Sequence, residues 1–201
     1  MGSGNGSDGG EGNATRDGAD DAGSTVRRLP RDRDEQGRPV NARPRDEFGR
    51  PLPRGARPER TIERHVFSDP EDALAAGVRL WDEQRFFEAH EVLEDVWNAA
   101  PEEDRLFWQG IIQVAVGCTH HQRGNAVGCA ALLRKAAAKL AQYPDVHHGV
   151  DVEELRVFAL GAADVVELAG VVEIGYPEFP ALDDGPTFRC DPRELLPGTG
   201  A

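Results

Sequence analysis

From Ser68 to Gly170 the apolar residues recur every three or four positions and nowhere alternate, so this stretch can bury its apolar side chains only as helices. Ser68-Asp69-Pro70 offers a cap and a first-turn proline, and Leu74, Val78 and Trp81 form one stripe behind it. A second helix is predicted from about Arg85 to Asn98, with Phe86, His90, Leu93 and Trp97 on a shared face. Pro101, followed by Glu102, Glu103 and Asp104, opens a third with its acids beside the positive end of the helix dipole, and the pattern continues to about Gln122. Asn125, after the break at Gly124, caps a fourth that reaches Tyr143 and is stopped by Pro144. Asp151 with Glu154 makes a capping-box-like start for a fifth, closed by Gly170. Short connections favour antiparallel neighbours. The expected fold class is all-α: a compact multihelical bundle of about five helices over residues 67–170, with a disordered arm before it (1–66) and an irregular tail after it (171–201).

The arm divides by composition. Residues 1–25, rich in Gly, Asp, Ser and Asn, hold five acids and one Arg, for a net charge of −4. Such a segment buries too little apolar surface to offset the entropy of ordering it. Residues 26–66 hold twelve Arg against seven acids, or +5, and residues 67–201 hold ten bases against twenty-four acids, or −14. A helical part so acidic repels phosphate backbones and anionic lipid, which argues against nucleic acid as the main partner. The basic segment contains a twelve-residue repeat, Asp34-Glu35-Gln36-Gly37-Arg38-Pro39-Val40 and Asp46-Glu47-Phe48-Gly49-Arg50-Pro51-Leu52. Gly-Arg-Pro is also the centre of minor-groove hooks, but Gln36 and Phe48 stand where those hooks carry another Arg. The simpler reading is an Arg-rich arm lying on the acidic domain. No apolar run is long enough to span a bilayer, and the N-terminus shows no export signal. Cys118, Cys129 and Cys190 have no metal-ligand spacing. Reduced thiols and a cytoplasmic location are therefore expected.

Candidate chemistry concentrates in Phe86-Phe87-Glu88-Ala89-His90-Glu91-Val92-Leu93-Glu94-Asp95-Val96-Trp97. His90 and Glu94 stand one helical turn apart between Phe86, Leu93 and Trp97, and are expected to point inward as a pair. Gln109 and Gln113 repeat the arrangement on the third helix, followed by His120. Antiparallel packing of helices two and three would gather His90, Glu94, Trp97, Gln109, Gln113 and His120 into one polar cluster. Its readings are a buried hydrogen-bond network that fixes helix register, a small-ligand or peptide pocket, or a metal-dependent hydrolytic site. The last rests on His90-Glu91-x-x-Glu94, half of a zincin motif whose second His position holds Glu94. His120-His121 and His147-His148 are read as surface or loop histidines, because adjacent residues on a helix point in different directions. Cys118 is read as a packing residue.

Three pieces of the chain together resemble the uncharacterised all-helical family named domain of unknown function 309. They are Phe87-Glu88-Ala89-His90-Glu91-Val92-Leu93-Glu94-Asp95-Val96-Trp97; Gln109-Gly110-Ile111-Ile112-Gln113-Val114-Ala115; and Arg123-Gly124-Asn125 with Gly128-Cys129-Ala130-Ala131-Leu132-Leu133 and Lys135-Ala136. Cys129 stands where Ala is expected. The Gly-Arg-Pro arm also looks like a leader that some members carry. The resemblance implies a compact helical fold and no established activity, and its pattern falls on His90, Glu94, Trp97, Gln109 and Gln113. The function expected from these readings is a non-enzymatic helical domain that binds a protein partner or small molecule. The alternative is a metal-dependent hydrolase-like site at His90, Glu91 and Glu94. No catalytic residue, resident metal, cofactor or membrane is expected, and a homo-oligomer is allowed.

Overall fold

The computed structural model describes residues 35–36, 43–57 and 67–188, and all of these belong to one compact unit, residues 32–201. The expected disorder of residues 1–25, most of the first Gly-Arg-Pro copy, and Cys190 lie outside the described residues.

Five helices form where the periodicity requires them. They are α1 (Pro70–Asp82), α2 (Phe86–Ala99), α3 (Arg105–Gln122), α4 (Ala126–Leu140) and α5 (Val152–Ala169). Three of the caps are those the sequence signals. Asp69 accepts from the Glu71 amide, Asn125 from the Gly128 amide and Asp151 from the Glu154 amide, at 3.0, 3.0 and 2.8 Å. Gly170 ends α5 at φ 75°, in the left-handed region that favours glycine.

Three details differ from the reading of the sequence. The acids after Pro101 form a single 3-10 turn, Glu102–Asp104, and the α-helix proper starts at Arg105. α4 stops at Leu140 rather than Tyr143, because a residue before proline is disfavoured in α geometry, and Tyr143 instead donates to the Glu103 carbonyl at 2.6 Å. The connection to α5 is an antiparallel hairpin, β1 (Val146–His147) and β2 (Val150–Asp151). Strands of two residues are too short for alternation to register. Its turn residues His148 and Gly149 both have positive φ, 53° and 69°, as a two-residue hairpin of type I′ requires.

Each helix packs on the next in sequence. The direction of α3 against α4 follows from two glycines: a Cβ on Gly110 would lie 2.9 Å from Leu140 Cδ2, and one on Gly117 would lie 2.7 Å from Leu133 Cδ2. Positions rising along α3 meet positions falling along α4, so the pair is antiparallel and closely approached. Trp81, Phe86, Leu93, Phe107, Trp108, Ile111, Leu133 and Leu155 are fully buried at the centre. Residues 171–188 form no helix but return to α1, where the Trp81 indole donates to the Pro177 carbonyl at 3.0 Å and Phe179 meets Trp81 edge-on. Among the described residues no helix is long and apolar enough to cross a membrane.

Candidate functional site

The apolar stripe of α2 that faces the core is Phe86, Ala89, Leu93 and Val96, with Val92 beside it. Positions 90 and 94 lie at its margin, and their side chains part company. His90 is half-buried, its Nδ1 is sealed from solvent with no hydrogen-bond partner among the described residues, and its ring sits edge-on to Phe87 at 4.9 Å. Burial pushes its pKa down to about 4; the Phe86 and Phe87 backbones oppose this, while the charges of Arg123 and Arg45 reinforce it. Glu94 is exposed, and partial desolvation and the adjacent Asp95 carboxylate raise its pKa. The expected inward pair of His90 and Glu94 is therefore not formed, because position 94 falls outside the buried arc of the helix. Glu94→Ala is expected to change the free energy of unfolding by less than about 0.5 kcal/mol in a denaturant titration, as for other surface positions; a loss of 2 kcal/mol would restore the buried pair.

The remaining members of the predicted cluster stand half-buried on α2 and α3, each with its own surroundings. Gln113 accepts from Lys139 Nζ of α4 at 3.2 Å, and His120 Nδ1 lies 2.7 Å from the Asn125 amide nitrogen. Trp97 carries the Arg105 guanidinium over its ring at 5.1 Å, and Gln109 is half-buried on the same stripe as Gln113. His90, Glu91 and Glu94 do not come together as metal ligands. The buried acid of α2 is Glu88, gripped by Arg85 through Nε–Oε1 at 2.8 Å and Nη2–Oε2 at 2.6 Å. His121, read from sequence as a surface residue, is buried between the Tyr176 hydroxyl at 2.6 Å and the Val172 carbonyl at 2.7 Å. Cys118 and Cys129 are free and buried, and burial raises both thiols, Cys129 to about 11.

Beside His90 lies the second Gly-Arg-Pro copy. Asp46 accepts from the Phe48 and Arg50 amides at 3.0 and 2.7 Å and closes a tight turn. Gly49, at φ 73°, rests on the Phe87 ring so closely that a Cβ would fall 2.2 Å from Cε2. Arg123, at the end of α3, donates from Nε to the Phe48 carbonyl at 2.6 Å and holds its guanidinium over Phe87 at 5.4 Å, with Arg45 over the same ring at 5.8 Å. Burial lowers the pKa of Arg123; Asp46 opposes this, and the charges of Arg45 and Arg50 lower it further.

A second constellation forms at the opposite end of α3. Asp104, just before that helix, receives His147 Nε2 on Oδ1 at 2.8 Å and His148 Nε2 on Oδ2 at 2.9 Å. Phe107, Trp108 and Tyr143 wall the two imidazoles. The reading that adjacent histidines diverge assumed a helix. In the hairpin, the left-handed His148 brings its ring back beside that of His147, at a centroid distance of 4.4 Å. His148-Gly149 between Val146 and Val150 was the available sequence signal.

Residues 74–132 match a family described as Domain of unknown function (DUF309). The match runs from Leu74 in α1 through α2 and α3 to Leu132 in the first half of α4, and takes in most of the motifs quoted above. Similar curated proteins include an uncharacterised protein of Aquifex aeolicus, 30% identical over 98 residues, which are 48% of this chain and 28% of that protein. The uncharacterised protein YpuF of Bacillus subtilis is 43% identical over 49 residues, 24% of this chain and 28% of that protein. The chain thus spans little more than a quarter of the length of either relative.

Proposed function

We propose that the protein is a non-enzymatic, small-ligand-binding helical domain, and that its ligand presents an anionic group to Arg123, Arg45 and Arg50 at the His90 end of the α2–α3 face. The observation that carries this reading is the Arg123 guanidinium. Burial and two like charges both disfavour its charged form, and a single acid, Asp46, opposes them. Of its donors, Nε is used on the Phe48 carbonyl, and no other acceptor is found for it among the described residues. Against a helical part with a net charge of −14, the Arg123 and Arg45 guanidiniums over the Phe87 ring and Arg50 over the neighbouring Phe48 ring form a local positive site. A carboxylate or phosphate would satisfy the free fork and relieve the repulsion. Of the expected cluster, His90 lies at this site, its ring against Phe87 and within reach of the Arg123 and Arg45 charges.

Calorimetric titration with inorganic phosphate and with a dicarboxylate tests this. The intact protein is expected to bind one of them, and Arg123→Gln to weaken binding roughly ten- to a hundredfold, the loss of a charge-assisted hydrogen bond. If the intact protein binds neither anion, or the variant binds as well as the parent, the reading fails.

A further inference from the structure

We infer that Asp104, His147 and His148 form a divalent transition-metal site, with Zn²⁺ the best-matched ion, stapling the β1–β2 hairpin to the start of α3. One ligand atom from each of the three side chains can be chosen so that all lie within 4.8 Å of one another. Both imidazoles present Nε2 to the same carboxylate, at 2.8 and 2.9 Å, so the three groups already converge on one point. Around a tetrahedral ion with bonds near 2.0–2.1 Å, ligand atoms lie roughly 3.3 Å apart, a spacing these side chains reach by small rotations. Two imidazoles and one carboxylate suit Zn²⁺ or its neighbours rather than Mg²⁺ or Ca²⁺, which prefer oxygen.

Burial makes the case stronger than the residue types alone. His148 is fully buried, and the Asp104 and His147 side chains are 8% and 13% exposed. The scaffold is also fixed from outside. The Thr187 amide donates to the His148 carbonyl at 2.9 Å, and the Leu182 amide donates to the Gly149 carbonyl at 2.9 Å. A Cβ at Gly149 would lie 2.4 Å from the Gly185 carbonyl oxygen, so residues 182–187 hold the histidine turn against the bundle. Three protein ligands leave a fourth position for water or an exogenous group. The site is separate from the Arg123 surface, and neither reading depends on the other.

The test uses the full-length protein stripped with chelator and given Zn²⁺ or Co²⁺. One equivalent of Zn²⁺ is expected to bind and raise Tm by several degrees. X-ray absorption is expected to show only nitrogen and oxygen neighbours near ~2.0–2.1 Å. His147→Gln, at the most exposed ligand, is expected to keep the helical circular dichroism and lose both the uptake and the Tm shift; His147→Cys, which restores a ligand, is expected to regain uptake. Absence of Zn²⁺ uptake by the parent, uptake by His147→Gln equal to the parent's, or a sulfur shell in the parent would each overturn the assignment. The last outcome would move the metal to the cysteines.

Discussion

Arg85→Ala is expected to lower the free energy of unfolding by about 3–5 kcal/mol, because it leaves a carboxylate buried without its partner. Glu88 is 3% exposed, and both its oxygens are engaged by Arg85, Oε1 from Nε and Oε2 from Nη2. Arg85 also reaches Glu83 at 2.9 Å, but that acid is much more open to solvent, so its loss adds little. The intact pair is not itself a large source of stability, since its mutual attraction must first offset the desolvation of two charges. Arg85→Met combined with Glu88→Leu is accordingly expected to recover most of the loss seen in the single variant. Denaturant unfolding of the parent, the single and the double variant measures this, and a single-variant loss below about 1 kcal/mol would mean that water reaches Glu88.

The second large effect is expected on acidification. His90 has a pKa of about 4 in the folded protein, against 6.5 for an ordinary histidine. Above pH 6.5 the ring is neutral in both states and contributes nothing to the pH dependence. Between pH 6.5 and 4 the unfolded chain takes up a proton that the folded chain refuses, so stability falls as the pH falls, by up to about 3 kcal/mol from this one group. His90→Gln removes the group, and its stability is expected to decline less steeply than the parent's across that window. Parallel curves for parent and variant would show that the ring is hydrated in the fold. Burial, first, and then the nearby Arg123 and Arg45 charges favour the neutral ring.

The five helices were legible in the sequence because their signals are local. Asp69, Asn125 and Asp151 cap the helices they precede, and Gly170 closes the last, using only residues within one turn. What spacing could not give was the depth of each polar residue. Glu88, Glu91 and Glu94 look alike on α2, yet Glu88 is buried and the other two are exposed, because the edge of the buried arc depends on neighbours distant in sequence. Gln113 turned toward Lys139 for the same reason: α4, rather than α2, supplies its hydrogen bond. The Asp104 constellation was hidden differently. Asp104 lies 43 residues before His147, and the two histidines converge only because the chain adopts a left-handed turn, which two-residue strands hardly announce. The resemblance to the unknown-function family was readable because its motifs are short and contiguous in sequence, on α2, on α3 and across the turn into α4, and the match over residues 74–132 takes in all but the last residues of the third.

The path of residues 171–188 bears on the order in which the molecule assembles. Helices that pack chiefly on their sequence neighbours can dock one after another as the chain is made, at little cost in loop closure. The Trp81 indole must wait for Pro177, and Asp82 for the Phe179 amide, across 96 and 97 residues. Until that return is made, α1 keeps one wall open to water with its largest side chain behind it. On such an order assembly would end where it began, with the first helix made being the last to be sealed.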